Sequence, residues 1–306
     1  MATHSRRDFL KTGAAGLICS SAFLSGNSLF AQTLGLPLGL QLYSVRKLLP
    51  TDYEGTLKQI AALGYRQVEA AGYYNHSAND VKKAMQVAGL DCVSAHYSMD
   101  KLKPNLDQII DFNKKVGAHY LICAAPAFKN PERMKHMKPK DWAHAFTMED
   151  WRYNAEQLNQ IGKKVHAAGL KLGYHNHTME FQKMDGEVPY AELLKLTDPS
   201  LVTMEMDCGW VVVGGGNPVE FLERYPTRIS MLHVKDFAIT GKPMSVSNPP
   251  PSAELGRGSI DYRPIFRAAA KTGHIKHCFV EQEQFVDMSP MQALKVDAQY
   301  MHKLNA

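Results

Sequence analysis

The sequence of 306 residues predicts a single closed (β/α)8 barrel, in which eight parallel strands each lead into a helix. From Leu34 onward, short apolar runs alternate with longer amphipathic runs, and this pair recurs eight times. The short runs are almost continuously apolar, which is typical of parallel strands covered by helices. An open doubly wound sheet is expected to have a glycine-rich loop after its first strand. Residues 41–46 read QLYSVR and contain no glycine. Closure into a barrel is therefore favoured.

The predicted elements alternate along the chain. Strands are predicted at residues 36–44, 67–70, 91–95, 120–124, 171–175, 202–207, 229–234 and 277–281, and helices at 53–63, 78–88, 105–116, 148–168, 190–196, 219–224, 262–270 and 291–304. Four helices run into Gly64, Gly89, Gly117 and Gly169, because a residue without Cβ takes the left-handed geometry that ends a helix. Two longer connections, 126–147 and 237–259, follow the fourth and seventh strands, where a barrel carries its active-site loops.

Residues 1–31 are predicted to be a twin-arginine signal peptide, and residues 32–306 the barrel. The pattern is SRRDFLK at residues 5–11, followed by a run rich in small apolar residues at 12–24. This run is shorter than the roughly 20 apolar residues that span a membrane. Cleavage after Ala31 would leave no membrane anchor and predicts a periplasmic protein. A lipid anchor at Cys19 is disfavoured by the bulky Ile18 before it, and a cytoplasmic protein would require the seven-residue match to be accidental.

The composition argues against nucleic-acid binding. The chain carries 35 Lys and Arg against 30 Asp and Glu, and the signal peptide holds three of the basic and one of the acidic residues, which leaves a net charge of +3. No basic cluster provides the footprint of a phosphate-backbone binder. The remaining cysteines, Cys92, Cys123, Cys208 and Cys278, all lie in apolar runs. Buried free thiols are therefore expected, with one disulfide as the alternative in an oxidising compartment.

Polar and ionisable residues are concentrated at the carboxyl ends of the predicted strands, where a barrel places its active site. In chain order they are Gln41, Tyr43, Glu69, His96, His175, His177, Glu180, Glu205, Asp207, His233, Lys235, Asp236, Glu281 and Glu283. One such residue has ordinary explanations, such as a helix cap or a loop hydrogen bond. Several carboxylates on one face repel one another unless a cation or shared protons hold them. A bound divalent metal is the simplest explanation for the whole set.

Six segments resemble the sugar phosphate isomerase/epimerase superfamily of xylose-isomerase-like barrels. They read LQLYSVR at 40–46, YHNHTMEF at 174–181, DCGW at 207–210, HVKD at 233–236, LGRGSID at 255–261 and VEQ at 280–282. The segments occur in the superfamily's order and extend over nearly the whole chain after the signal peptide. The resemblance implies one divalent metal held by two glutamates, one aspartate and one histidine from four strand ends.

Carried onto this sequence, the resemblance implies Asp207, His233 and Glu281 as metal ligands. Ketose epimerases of the superfamily have a glutamate within the fifth strand, where this sequence has His175. The sequence is more similar to the inositol-dehydratase and 3-keto-glycoside branches, in which a His-x-His stretch precedes a later acid. Glu180 is therefore predicted as the fourth ligand, with His175 or His177 as a substitute ligand or base. This oxygen-rich set suits Mn²⁺, with Mg²⁺, Co²⁺ and Zn²⁺ as alternatives.

The same resemblance implies removal of a proton next to a substrate carbonyl that the metal polarises. Glu180, Glu281 and His177 are the candidate catalytic acids and bases. The candidate substrate-binding residues are His96, His175, Lys235, Gln41, Glu69, Arg257 and Trp210. Simpler roles remain open for some of them: Glu69 could pair with a neighbouring basic residue, Gln41 could order a loop, and Trp210 could pack in the core.

The main functional prediction is an isomerase or epimerase of a keto-sugar or related carbohydrate. A lyase or dehydratase acting on a 3-keto-glycoside or inosose by the same chemistry is the close alternative. A multi-zinc phosphodiesterase would need further ligands and a basic face, and a non-catalytic sugar-binding barrel would not need Asp207, His233 and Glu281. The expected partner is a small carbohydrate, and association into a homo-oligomer remains open.

Overall fold

Eight parallel strands close into a barrel, which confirms the predicted fold class. The computed structural model describes residues 34–239 and 244–304, so the predicted signal peptide lies outside the described residues. The barrel strands are β1 (Gly39–Gln41), β2 (Gln67–Ala70), β3 (Asp91–Ser98), β4 (Tyr120–Ala125), β5 (Lys171–His175), β6 (Val202–Asp207), β7 (Ile229–Val234) and β10 (His277–Val280). Their order around the barrel is β1-β10-β7-β6-β5-β4-β3-β2. A separate antiparallel pair is formed by β8 (Asp236–Phe237) and β9 (Ser252–Ala253).

Helices cover the outside of the barrel. They are α1 (Tyr53–Ala62), α2 (Ala78–Ala88), α3 (Met99–Val116), α4 (Met148–Ala167), α5 (Pro189–Leu196), α6 (Cys208–Val213), α7 (Pro218–Arg224), α8 (Tyr262–Thr272) and α9 (Pro290–Leu304). The four glycines predicted to end helices all have positive φ, from 71° at Gly89 to 105° at Gly117. Across residues 34–239 and 244–304, each helix is too short or too polar to cross a membrane.

Three of the differences from the sequence prediction have local physical reasons. The first strand ends at Gln41, because the Gln41 side chain accepts a hydrogen bond from Tyr43 N and starts a short 3-10 helix, Leu42–Val45. Helix α3 begins six residues earlier than predicted and continues past Pro104, with a kink at Asn105. Helix α6 was not predicted, and it begins where Asp207 accepts a hydrogen bond from Trp210 N.

Inside the barrel, a layer of apolar side chains, which we call the floor, lies below the polar side chains at the carboxyl ends of the strands. Val93, Tyr120, Ile122, Met231 and Phe279 form a buried cluster separate from the main core. Met231 and Phe279 stand two residues before His233 and Glu281 on the same strands, so side-chain alternation stacks the polar layer directly above this floor. The four cysteines in the described residues are buried free thiols, as predicted.

Candidate active site

A group of buried polar side chains fills the carboxyl-end half of the barrel interior. Its members are Gln41, Glu69, His175, Glu205, Asp207, His233, Lys235 and Glu281, all at most 6% exposed, together with the more accessible His96. Each lies within two residues of the carboxyl end of a barrel strand. The structure therefore brings together most of the residues that the sequence nominates.

Glu69, His96 and Glu205 form what we call the inner layer. His96 Nε2 lies 2.6 Å from Glu69 Oε1 and 2.8 Å from Glu205 Oε2, so one imidazole bridges two buried carboxylates. Glu69 is also held by Gln41 Nε2, which donates to Oε1 at 2.7 Å, and by Ser94 Oγ, which donates to Oε2 at 2.6 Å. The predicted contact of Glu69 with a neighbouring basic group is thus one part of a larger network.

Above the inner layer, His175, Asp207, His233 and Glu281 form what we call the outer group. Each offers one donor atom, and these four atoms lie within 4.8 Å of one another. His233 Nδ1 is 3.2 Å from Glu281 Oε2 and 3.8 Å from Asp207 Oδ2. His175 Nε2 is 3.9 Å from Asp207 Oδ2. Two imidazoles and two carboxylates therefore converge on one point.

The two histidines of the outer group also reach the inner layer with their other ring nitrogens. His175 Nδ1 lies 3.1 Å from Glu205 Oε2. His233 Nε2 lies 2.8 Å from Glu69 Oε1 and 3.2 Å from Glu205 Oε2. Each ring thus spans the two sets, with one nitrogen facing each of them.

Lys235 supplies a buried ammonium at the edge of the outer group. Its Nζ lies 2.6 Å from Glu281 Oε2, 3.0 Å from Asp207 Oδ2 and 2.8 Å from Glu283 Oε1. The side chain reaches this position across Gly209, where an added Cβ would lie 2.5 Å from Lys235 Cγ. A glycine after Asp207 and Cys208 is therefore required to let the lysine into the site.

Burial and neighbouring charge set the protonation of the carboxylates. Burial raises the pKa of Asp207 to about 6, against the opposing effect of Lys235. Burial would also raise the pKa of Glu281, but Lys235 and His233 hold it well below its usual value. Glu281 is therefore a carboxylate throughout the physiological range.

His175 and His96 differ in protonation state. Burial, followed by the positive field of His233, holds the pKa of His175 well below its usual value, so this ring is a neutral imidazole with a lone pair to offer. Burial would lower the pKa of His96 as well, but Glu69 and Glu205 raise it to about 9. His96 is therefore the charged partner of the two inner carboxylates.

The outer group fits a divalent metal. Ligands at 2.0–2.2 Å from one ion stand about 3–3.5 Å apart, close to the observed separations of 3.2–3.9 Å. Asp207 Oδ2 is fully buried and makes no hydrogen bond of proper geometry with any described group, although Lys235 Nζ is 3.0 Å away. Such an oxygen is costly without a cation.

A second set of donors, His96, His175, Glu205 and His233, also lies within 4.8 Å. Within it, however, His96 and Glu205 stand 2.8 Å apart, which is a hydrogen-bond length. The inner layer is held together by protons, whereas the outer group has the wider spacing of metal ligands.

The structure places Glu180 outside the outer group, which does not match its prediction as a metal ligand. Glu180 lies in a 3-10 helix, Met179–Phe181, where its Oε1 accepts from Tyr174 Oη at 2.6 Å and its Oε2 accepts from His177 N at 2.9 Å. Tyr174 alternates with His175 and faces the helix layer, so Glu180 is drawn away from the barrel interior. The residue of β5 that belongs to the outer group is His175, and Glu180 holds the turn that follows it.

His177 lies at the mouth as a half-buried, uncharged imidazole. Its ring centroid is 4.9 Å from that of His175 and 6.1 Å from that of Trp210. Burial, then the charge of Lys235, lowers the pKa of His177 to about 3. Its Nδ1 has no hydrogen-bond partner among the described residues. A neutral ring next to the outer group suits the predicted role of a base.

Trp210 packs against the Lys235 side chain. The ring is 1% exposed, packs on Phe237 at 4.8 Å between centroids, and lies 4.9 Å below Lys235 Nζ. A cation over an indole face is stabilised by the ring's quadrupole. The structure therefore places Trp210 against the lysine and not on an exposed sugar-stacking surface.

Arg257 stands on an exposed loop anchored by Asp236. The carboxylate of Asp236 accepts from the backbone N–H groups of Gly256, Gly258 and Ile260, at 3.0–3.1 Å. Arg257 Nη1 lies 3.5 Å from Glu254 Oε2. The loop is thus fixed in place while the guanidinium remains accessible, and the structure records no contact of Arg257 with the outer group.

Sequence reasoning placed Glu205 at the mouth but gave it no role. The signal was present, because Glu205 and Asp207 are two residues apart in β6 and must face the same side. Ser94 and Glu283 were likewise given no function, although Ser94 holds Glu69 and Glu283 holds Lys235.

The fold and this site define the class of protein, a (β/α)8 barrel with a buried polar site at the carboxyl ends of its strands. Residues 57–304 match the model of the xylose isomerase-like TIM barrel family, and the chain belongs to this family. An inosose dehydratase from Clostridium botulinum is 25% identical over 248 residues, which cover 76% of this chain and 82% of that protein.

Two solved structures of relatives extend the comparison. A sugar phosphate isomerase/epimerase from Parabacteroides distasonis is 28% identical, with a TM-score of 0.70 over 87% of this chain and 97% of that one. A second protein described in the same words, from the same organism, is 26% identical, with a TM-score of 0.67 over 90% and 95% of the two chains. The relatives thus include both dehydratases and isomerase/epimerase proteins.

Proposed function

We propose that this protein is a divalent-metal-dependent lyase or dehydratase that acts on a keto-carbohydrate or keto-cyclitol. The observation that carries the proposal is the outer group, four convergent metal donors, with a neutral imidazole, His177, and an ammonium, Lys235, next to it. An elimination needs one base and one acid placed around an activated carbonyl. The similarity to an inosose dehydratase supports the same reaction class.

His175, Asp207, His233 and Glu281 would hold the metal. When bound, a divalent ion supplies a Lewis acid that polarises a carbonyl and stabilises negative charge on its oxygen. This donor set contains two imidazoles, whereas the sequence predicted one. It is therefore a softer set of ligands than the sequence suggested. Imidazole favours Zn²⁺ and other transition metals, and carboxylate favours Mn²⁺ and Mg²⁺. The mixed set therefore moves the preference from Mg²⁺ towards Mn²⁺, Co²⁺ and Zn²⁺.

The protein's own groups move the protons. His177 Nδ1 is free of hydrogen bonds and is the acceptor that we assign to the substrate proton next to the carbonyl. As the C–H electrons form the new C=C bond, the C–O bond at the next carbon breaks. Lys235 Nζ gives a proton to the departing oxygen and is held in place by Glu283. The products are an unsaturated ketone and water or an alcohol.

An isomerase or epimerase is the second candidate, favoured by the 28% identical relative described as a sugar phosphate isomerase/epimerase. That reaction requires proton transfer on two sides of the substrate, for which Glu281 would serve opposite His177. Export by the twin-arginine route and periplasmic location remain part of the proposal, and they favour a substrate without a phosphate group.

The test is product analysis in deuterated water. The purified, metal-loaded full chain is incubated with an inosose and, separately, with a 3-keto-glycoside, and products are identified by mass spectrometry and NMR. A product that has lost water or the glycosidic alcohol supports the lyase. A product of unchanged skeleton with deuterium next to the carbonyl identifies the isomerase. Unchanged substrates without deuterium, indistinguishable from the His177→Gln variant, would refute both reactions.

A further inference from the structure

The two histidines of the outer group are each tied to a glutamate of the inner layer. His175 Nδ1 lies 3.1 Å from Glu205 Oε2, and its Nε2 faces Asp207. His233 is reversed, with Nε2 2.8 Å from Glu69 Oε1 and Nδ1 facing Glu281. A neutral imidazole carries a proton on one nitrogen and a lone pair on the other. The glutamates therefore decide which nitrogen is left with the lone pair.

We propose that Glu69 and Glu205 are positioning residues that fix opposite tautomers of the two histidines. Glu205 accepts the Nδ1–H of His175, which leaves Nε2 free to bind a metal. Glu69 accepts the Nε2–H of His233, so that Nδ1 is the nitrogen that gives up its proton when a metal binds. This inference rests on the proposed metal site and assigns a function to two carboxylates that do not themselves belong to the outer group.

The inner layer is built to keep these two carboxylates in place. Both glutamates are 0% exposed. His96 Nε2 bridges them at 2.6 and 2.8 Å, and Gln41 and Ser94 each donate one further hydrogen bond to Glu69. A carboxylate that is held on several sides fixes the ring orientation of the histidine it faces. The oppositely directed rings then aim their lone pairs at a common point.

Metal affinity is the first readout. Metal-free wild type, Glu205→Gln, Glu69→Gln and Asp297→Asn are titrated with Mn²⁺ and with Zn²⁺ by calorimetry. Loss of a carboxylate behind a ligating histidine is expected to weaken binding on the order of 10–100-fold. Asp297 is a buried carboxyl outside the site and serves as the matched control, with unchanged affinity. Wild-type affinity in both glutamine variants would overturn the proposal, as would two ions per chain, because the inner layer would then be a metal site itself.

The second readout needs no inner-layer variant and separates this proposal from the proposed function. Long-range ¹H–¹⁵N spectra of histidine-labelled wild type, with and without Zn²⁺, report the protonated nitrogen of each ring. Signals are assigned from the His175→Gln and His233→Gln spectra. We expect His175 protonated at Nδ1 and His233 at Nε2 in the zinc-loaded protein. The reverse tautomers would refute the proposal. A wild type that binds no divalent ion would refute the proposed function, and the protonated nitrogen of His175 in the metal-free protein would still decide this one.

Discussion

Lys235 and Glu281 form a buried ion pair in the candidate site, with Nζ 2.6 Å from Oε2 and both side chains nearly inaccessible to water. The same Glu281 oxygen faces His233 Nδ1 at 3.2 Å and is one of the four convergent donors. The ammonium and a divalent cation would therefore share their carboxylates. This arrangement gives the protein a positive charge at the site before a metal arrives, and it makes Lys235 responsive to metal binding.

Replacing the lysine tests that coupling. In Lys235→Met the carboxylates of Asp207, Glu281 and Glu283 lose their cation, and breaking a buried pair costs about 3–5 kcal/mol of stability in the metal-free protein. The same negative charge should strengthen binding of a divalent ion by about tenfold. Chemical unfolding with and without Mn²⁺ measures both effects. The control, Lys58→Met, removes a surface pair with Glu54 and should change stability by less than about 0.5 kcal/mol. Equal stability of metal-free wild type and Lys235→Met would contradict the coupling.

Two acids that the sequence suggested as ligands should behave differently on substitution. Asp207→Asn removes a donor of the outer group, so divalent metal binding should fall by about 100-fold or more. Glu180→Gln keeps an acceptor for Tyr174 and leaves the outer group intact, so metal affinity should stay within about twofold of wild type. Metal content after dialysis and isothermal titration report both. Loss of metal in Glu180→Gln with an unchanged circular dichroism spectrum would restore Glu180 as a ligand.

The stability of the protein should depend on pH through Asp297, which lies on α9. Its Oδ1 accepts from Leu255 N at 2.8 Å, and burial raises its pKa to about 7. The folded state therefore holds this proton more tightly than the unfolded state, whose Asp pKa is about 3.9. The stabilising contribution is complete below about pH 4 and is lost as the pH rises to about 7.

Asp297→Asn does not titrate, which isolates this contribution. The free energy of unfolding of the variant relative to wild type should rise by about 2–4 kcal/mol between pH 4 and pH 8. Urea unfolding at a series of pH values measures the difference. Parallel curves for the two proteins would show that Asp297 has an ordinary pKa in the folded state.

The fold followed from the sequence because periodicity and helix ends are local signals. Strands β2, β5, β6 and β7 have the predicted bounds, and Gly64, Gly89, Gly117 and Gly169 take the predicted positive φ. Two of the boundaries that shifted depend on single side chains. Gln41 ends β1 by turning back onto the backbone, and helix α3 tolerates Pro104 by kinking at Asn105.

The sequence predicts which residues line the site, but it does not predict which of them contact one another. Asp207, His233 and Glu281 converge as expected, because strand ends of a parallel barrel meet at one face. Glu180 lies outside the outer group, because its direction depends on its hydrogen bond to Tyr174, a residue on the opposite face of β5. Glu205 was left without a function, because its role depends on contact with His96, which lies three strands earlier in the sequence.

The most direct test of the account is metal-dependent exchange of the substrate proton next to the carbonyl. The full chain is stripped with a chelator, reloaded with one equivalent of Mn²⁺, Co²⁺ or Zn²⁺, and incubated with a keto-carbohydrate in deuterated water, beside Asp207→Ala and Glu281→Ala. We predict one bound ion per chain and deuterium incorporation or elimination that requires both the ion and the two acids. Proton exchange that proceeds equally in the stripped wild type and in both alanine variants would contradict it, as would a wild type that binds no divalent ion.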